Sequence, residues 1–237
     1  MCGRFVQVAS PELLVERFGV DDVGAAPRAP SYNIAPRDTV YAVRERVVDG
    51  EPRRALSALR WGLVPSWAKD ARTGDRMINA RAETLTERPA YERAFRAHRC
   101  LIPADGFYEW QRRGGRKQPM FIHRSDGEPM AFAGLWAAWR DRRDPDEEWL
   151  RTCAIVTTQA NDALAPVHDR MPAVLEERDW PFWLDRSVDD LHGLARLLVP
   201  APEDALVAYP VGTRVNSSDN DGPELVERVE VDATLGL

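Results

Sequence analysis

Residues 100–139 read CLIPADGFYEWQRRGGRKQPMFIHRSDGEPMAFAGLWAAW, and the fold class turns on them. Within this stretch, 100–110, 119–123 and 130–139 are short runs that alternate or are rich in aromatic and β-branched residues, the pattern of strands. Further strands are expected at 39–48, 55–64 and 150–157, with shorter ones at 172–175 and 206–211. Helices enter irregularly, at 89–97, where Tyr91 and Phe95 are four apart, and at roughly 176–184 and 188–198. Strands separated by turns, with helices at irregular places, predict an α+β fold. Its centre is a mostly antiparallel curved sheet, or a partly closed β-barrel with peripheral helices.

The first helix carries its own punctuation. Ser10 is placed to cap, Pro11 is tolerated in the first turn, and Gly19 ends the helix. Leu14 and Phe18 fall on one face, which the helix should bury. The Pro-rich stretch APRAPSYNIAPRD that follows is expected to be an extended loop. No repeat, low-complexity tract or interdomain linker interrupts the chain, so a single domain over 1–237 is expected.

At 237 residues the chain can bury a core without covalent staples. Its hydrophobic fraction of 44% and charged fraction of 30% are those of an ordinary globule. No apolar run is long enough to span a membrane, and Arg4 interrupts any signal-peptide pattern at the start. The expected compartment is the cytoplasm. Cys2, Cys100 and Cys153 have no CxxC or CxxH spacing, and the four histidines are not paired. Neither a disulfide framework, a metal site nor a cofactor is therefore expected.

Net charge is −6, which alone argues against a nucleic-acid partner. The distribution is uneven. Residues 51–120 hold fifteen Lys or Arg against eight Asp or Glu, whereas residues 173–237 hold five against fourteen. Nearly all the basic residues are arginine, a bias that GC-rich coding also produces. The charge map permits a basic groove without demonstrating one.

Cys2 is the residue with the most distinctive chemistry. Aminopeptidases remove an initiator Met when a small residue follows, which would leave an amine and a thiol on adjacent carbons. With reference pKa values of about 7.7–8.0 and about 8.5, a fraction of each is nucleophilic near neutrality. Such a 1,2-aminothiol condenses with an aldehyde. The amine forms an imine and the tethered thiol closes on the same carbon to give a thiazolidine ring. The alternative is that Cys2 is a small buried hydrophobe.

Several polar segments stand where a purely structural account expects apolar ones. In INARAET (78–84), an extended backbone would put Asn79, Arg81 and Glu83 on one face. Glu109, between Tyr108 and Trp110 in IPADGFYEW (102–110), should be desolvated and its pKa raised toward acid–base use. His168 and Arg170 sit on a Pro-bounded loop, PVHDRMP (166–172), where a His can shuttle protons. WGLVPSW (61–67) places two tryptophans around a turn, to be buried in a core or offered to bases.

These fragments occur in one order with MCGRF at the start, YNIAP (32–36), VTTQAN (156–161), YPVGTRVN (209–216) and NDGPEL (220–225). The series resembles the SOS-response-associated peptidase family, which senses abasic sites in single-stranded DNA, and the resemblance spans nearly the whole chain. It implies a covalent DNA–protein cross-link in which Cys2, freed of Met1, bonds to C1′ of the abasic sugar as a thiazolidine. It further implies that Asn79 orients the opened sugar or the amine and that Glu109 acts as general acid/base. His168 would assist proton transfer at the sugar, with β-elimination (lyase) as a side reaction. Arg4, Arg81 and Arg170 would hold phosphates, and Trp67 would pack against a base or sugar. Ala68 departs from the family, which often carries a second bulky residue there.

What the resemblance implies, then, is abasic single-stranded DNA as partner; with no dimerisation motif a monomer is the default expectation, in the cytoplasm and associated with the nucleoid when DNA is damaged. Two alternatives are an autoprocessing cysteine peptidase using Cys2 with His168 or Glu109, and a non-catalytic single-strand binding module.

Overall fold

Two antiparallel-rich sheets and a few short helices build the protein, whose computed structural model describes residues 2–144, 146 and 148–230. The N-terminal half comprises β1 (Arg4–Gln7), α1 (Pro11–Phe18), β2 (Asp22–Val23), β3 (Ser31–Ile34), β4 (Thr39–Val48), β5 (Glu51–Trp61), β6 (Asn79–Arg81) and α2 (Pro89–Ala97). There follow β7 (Arg99–Ala104), β8 (Gly106–Arg113), β9 (Arg116–Arg124), β10 (Met130–Trp139) and β11 (Leu150–Gln159). The chain then passes through β12 (Arg170–Pro172), α3 (Trp180–Leu184), α4 (Leu191–Arg196) and β13 (Leu206–Pro210).

The larger sheet has the order β12-β11-β10-β7-β4-β5-β2, and β6 adds to β11. Its two long arms meet again, because β5 pairs in parallel with β11 at Arg60–Thr152 and Trp61–Cys153. Five strands thereby close into a ring, the partly closed barrel that the strand pattern predicts. The smaller sheet has the order β13-β9-β8-β1-β3.

Alternation along the ring strands divides the apolar residues between two cores. Val40, Ala42, Leu59, Trp61, Cys100, Ile102, Phe132 and Ile155 pack with Phe5 and Phe107 of the smaller sheet. Val43, Leu56, Leu101, Leu135 and Ala154 point the other way, against Leu14, Phe18, Phe95, Trp183 and Leu194 of the helices. All six residues of β7 are buried, as a strand covered on both faces requires. Gln7 ties the sheets together. Its amide donates to the carbonyls of Tyr41 and Pro103 at 3.2 and 2.8 Å, and its oxygen accepts from the Tyr41 amide at 2.8 Å.

The capping pattern at the first helix is observed: Ser10 Oγ accepts from the Leu13 amide at 3.3 Å, and Gly19 has φ 58°. Other expectations need correction. The run 100–110 is two strands in two sheets, broken at Asp105, whose carboxylate accepts from the amides of Val8 and Ala9 at 2.6 and 3.1 Å. Gly106 lets the chain change sheets there, since a Cβ would lie 2.2 Å from the Phe121 ring. The Pro-rich stretch is not all loop, because Ser31–Ile34 pairs with β1 as an edge strand. INARAET is a strand only over Asn79–Arg81; Ala82–Thr84 turn into a 3-10 helix. No helix among the described residues is long and apolar enough to cross a membrane.

Candidate functional site

Cys2 enters the site on the lead-in to β1. Arg4 and Phe5 lie opposite Tyr108 and Phe107 of β8, and running that antiparallel register back brings Gly3 opposite Glu109 and Cys2 one position beyond, near enough for Glu109 to act on its thiol. Cys2 has no solvent exposure and packs in the core that holds Phe5, Trp61 and Phe132. Its thiol lies 3.8 Å from the Arg4 carbonyl. Burial first, and then the neighbouring Glu109, hold the thiol well above its ordinary pKa.

Asn79 opens β6, where Ile155 of β11 is its parallel neighbour. Its side-chain amide donates to the Cys2 carbonyl at 2.7 Å. The other end of that amide, Oδ1, is buried and has no hydrogen-bond partner. A buried acceptor without a donor is costly, by about 1–3 kcal/mol, and marks a position where a donor is missing. From α2, the Tyr91 hydroxyl donates to the Asn79 backbone carbonyl at 2.9 Å.

Glu109 sits in β8 opposite Met120 and is only 4% exposed. Burial raises its carboxyl above the ordinary carboxylate range, and His168 pulls it partly back. The loop that presents His168 is fixed from several sides. Asn161 Oδ1 accepts from the Leu164 amide at 3.0 Å, its amide donates to the Ala201 carbonyl at 2.9 Å, and Gln111 of β8 donates to Pro166 at 3.2 Å. His168 Nδ1 lies 2.9 Å from the Arg170 amide and 2.9 Å from an Asp169 carboxylate oxygen. One nitrogen cannot accept and donate at once. The neutral ring accepts from Arg170 and carries its proton on Nε2, and the charged ring donates to Asp169 instead.

The arginines divide by role. Arg4 turns inward, donating to Asn33 Oδ1 at 2.8 Å and to the Val215 carbonyl at 2.9 Å. Asn33 in turn donates to the carbonyls of Ser217 and Asn220, so the pair pins the chain around 215–220. Arg170 forks onto Glu83 at 2.7 and 3.0 Å and reaches the Thr157 carbonyl. Arg81 is exposed and, with Gln159, Asp169 and Arg170, lines an open cleft of about 420 Å³. The two tryptophans of WGLVPSW part company. Trp61 is buried edge-on to Phe5 at 5.1 Å, whereas Trp67 is 61% exposed. Gly62 makes that turn possible: its φ is +124°, and a Cβ there would meet the Gly74 carbonyl oxygen at 2.6 Å.

Cys2, Asn79, Glu109 and His168, which are distant in sequence, are thus linked by one hydrogen bond and by mutual electrostatic influence. Arg81, at the end of β6, and Arg170, at the start of β12, line one cleft with Asp169, the neighbour of His168. Arg4 is committed to internal carbonyls, and Trp67 stands out on the surface. The sequence does not mark Tyr91 or Asn33 as site residues: the spacing of Tyr91 and Phe95 reads as a helix face, and Asn33 falls in the Pro-rich stretch. Among the described residues, no group of three His, Cys, Asp or Glu could hold a metal ion.

A family model described as SOS response associated peptidase (SRAP) matches residues 1–218. The chain is 41% identical over 229 residues to the abasic site processing protein YoqW of Bacillus subtilis, covering 96% of this chain and 99% of that one. It is 31% identical over 236 residues to the abasic site processing protein YedK of Escherichia coli, covering 97% and 100%. Among solved structures, a protein from Bacteroides thetaiotaomicron superposes with a TM-score of 0.83 at 24% identity, over 97% of this chain and 100% of that one. That last likeness bears on the fold alone.

Proposed function

The chain belongs to the SOS response associated peptidase (SRAP) family, and from that premise we propose that it captures abasic sites in single-stranded DNA as a covalent adduct on Cys2. The observation that carries the proposal is the Asn79 amide. One end grips the Cys2 carbonyl, while the other is a buried acceptor waiting for a donor, and the buried Glu109 carboxyl acts on the same cysteine.

In the proposed sequence, Met1 is first removed by hydrolysis of its peptide bond, which leaves the Cys2 amine and thiol free. Cys2 is fully buried, so capture also requires this end of the chain to become accessible to the sugar. The abasic sugar is mostly a closed hemiacetal. Glu109, whose carboxyl burial makes a better holder of its proton, gives a proton to the ring oxygen as the C1′–O4′ bond breaks, and the C1′ hydroxyl loses its proton to leave an aldehyde. The amine adds to C1′, water departs and an imine forms. The thiol then adds to the same carbon and its proton passes to the nitrogen, so that aldehyde and aminothiol give thiazolidine and one water. Asn79 Oδ1 accepts from the amine or a sugar hydroxyl during these steps. His168 passes protons at the sugar, and the same basicity at C2′ would give strand cleavage by β-elimination as a minor outcome.

Arg81 and Arg170 hold flanking phosphates, Trp67 stacks on a neighbouring base, and Arg4 acts by ordering the segment around Val215. Residues 1–237 are proposed to work as one unit and as a monomer in DNA repair. In support, Phe5 and Phe107 of the smaller sheet share a core with Phe132 of the larger. The test is a denaturing gel with a single-stranded oligonucleotide bearing one abasic site. The wild type should leave a heat-stable retarded band and Cys2→Ala none. A wild type that leaves no band ends the proposal.

A further inference from the structure

Helix α2 has a second working face. Tyr91 points to Asn79, but Ala90, Arg93 and Ala94 border an open groove of about 510 Å³ between the helix and β10. Its lining includes three tryptophans (Trp67, Trp136 and Trp149), three arginines (Arg93, Arg140 and Arg142) and, among the described residues, no carboxylate. Trp67 and Trp149 are 61% and 54% exposed, an unusual state for two large rings on one concave surface.

The groups in and under the groove are arranged for flat, anionic ligands. The Arg140 guanidinium lies over Trp149 at 4.9 Å, and Arg44 lies over Trp136 at 4.7 Å with the His98 ring edge-on at 4.8 Å. Arg93 is exposed and donates to Ser66 Oγ at 3.4 Å. The field at the floor is positive. His98 is pushed down to about 4 by burial and then by Arg186, Arg93 and Arg44, so it stays neutral among cations. An apolar peptide would want aliphatic walls, and this groove offers rings, prolines, alanines and guanidinium forks instead.

We propose that this groove is a second subsite for single-stranded DNA, holding one or two undamaged nucleotides of the strand whose lesion sits at Cys2. The inference rests on the lesion-capture reading and extends the strand's path past Trp67 to nucleotides held by Arg93, Arg142 and Trp149. Stacking on tryptophan accepts any base, and guanidinium forks accept phosphate. Both features suit a flanking sequence that varies from lesion to lesion. Helix α2 separates the two subsites by about one helix diameter, ~10–12 Å, which a few nucleotides span. The loop carrying Arg142 and Trp149 also holds exposed Asp144, Asp146 and Glu148, which would repel a longer phosphate track. The occupant is therefore short.

The test uses undamaged, fluorescein-labelled oligothymidylate and the Cys2→Ser chain, so that binding is measured by polarisation without covalent capture. An Arg93→Gln/Arg142→Gln double variant, both positions exposed, should bind roughly tenfold more weakly. Its log–log salt slope should be shallower by about 1.4, the counterions of two phosphates on a single strand. Trp149→Ala should weaken binding by at least about fivefold and leave the slope unchanged. Equal affinity and slope in the double variant overturn the subsite, as does failure of the Cys2→Ser chain to bind undamaged DNA. Displacement of the DNA by a polyglutamate peptide at lower concentration than competing oligothymidylate also overturns it, in favour of an acidic protein partner. The abasic cross-linking gel reports separately on the lesion reading. Cross-linking with groove variants indistinguishable from wild type sinks only the subsite, and groove-dependent binding without cross-linking sinks only the lesion reading.

Discussion

Asn79 holds the backbone carbonyl of Cys2 at 2.7 Å across seventy-seven positions of sequence. The bond restrains where the amine and thiol of Cys2 can lie, because the nitrogen is two bonds and the sulfur three bonds from that carbonyl carbon. Asn79→Ala removes the grip and the unpartnered acceptor together while leaving the β6 backbone pairing with β11 in place. Cross-linking measured at saturating abasic DNA should slow by roughly 100-fold, the usual consequence of about 1 Å of misplacement. The loss should fall on the rate and not on DNA affinity. A rate within twofold of wild type would remove Asn79 from the site.

Glu109 gives a prediction with a definite sign. Burial raises its folded pKa above the ordinary 4.5, so the folded chain keeps this proton to higher pH than the unfolded chain does. The stability linked to that difference is complete below the unfolded value and is lost as pH rises through the folded value. Glu109→Gln is neutral throughout and escapes the loss. Urea unfolding of both proteins should show the variant gaining on wild type as pH climbs from about 4 toward about 8. The same variant should cross-link roughly 100-fold more slowly at neutral pH, for want of a transferable proton.

How much of this was legible beforehand follows from the range over which each feature is determined. The cap at Ser10 and the stop at Gly19 are set within one helix turn, and both were readable. The approach of Cys2 to Glu109 depends on β1 lying on β8, which no local pattern encodes. Here the family resemblance supplied what periodicity could not. The break at Asp105 was invisible for a related reason: the carboxylate caps Val8 and Ala9, residues nearly a hundred positions away. INARAET read as one extended face, but Glu83 leaves the strand to meet Arg170 from another segment. Trp61 and Trp67 looked equivalent in sequence. Only the ring closure of β5 on β11 decides that one is core and the other surface.

The fork between Arg170 and Glu83 offers a smaller and separable effect. Arg170 is nearly buried, whereas the Glu83 carboxylate is 45% exposed and is held below its ordinary pKa chiefly by this bond. Solvent screening limits the pair, so Glu83→Gln should cost about 1 kcal/mol in urea unfolding. Arg170 would then be released toward the cleft beside Arg81. Affinity for undamaged single-stranded DNA should rise modestly in the variant, with a steeper salt dependence. A fall in affinity would mean that the fork itself presents Arg170 to DNA.

Arg99 tests the scaffold instead of the site. Only 2% exposed, it donates to the carbonyls of Phe95 and Arg96 at the end of α2, at 2.7 and 2.5 Å. It also donates to Trp183 at 2.6 Å and to Asp185, at the end of α3. One guanidinium thus satisfies carbonyls that two helix ends would otherwise bury unpaired. It does so in a chain where burial has already lowered its own pKa to about 10. Arg99→Met keeps the stem and its packing but strands these acceptors, at a cost of about 3 kcal/mol once the helix ends relax toward water. Arg99→Lys keeps the charge without the fork and cannot reach both helices, so it should recover only part of the loss. The urea midpoint should order wild type above Lys above Met with one common slope. Because α2 also carries Tyr91, the Met variant should weaken the hold on Asn79 and slow cross-linking at temperatures well below its own unfolding. Met and wild-type proteins of equal stability would show that the helix ends find other donors and that Arg99 is not their clamp.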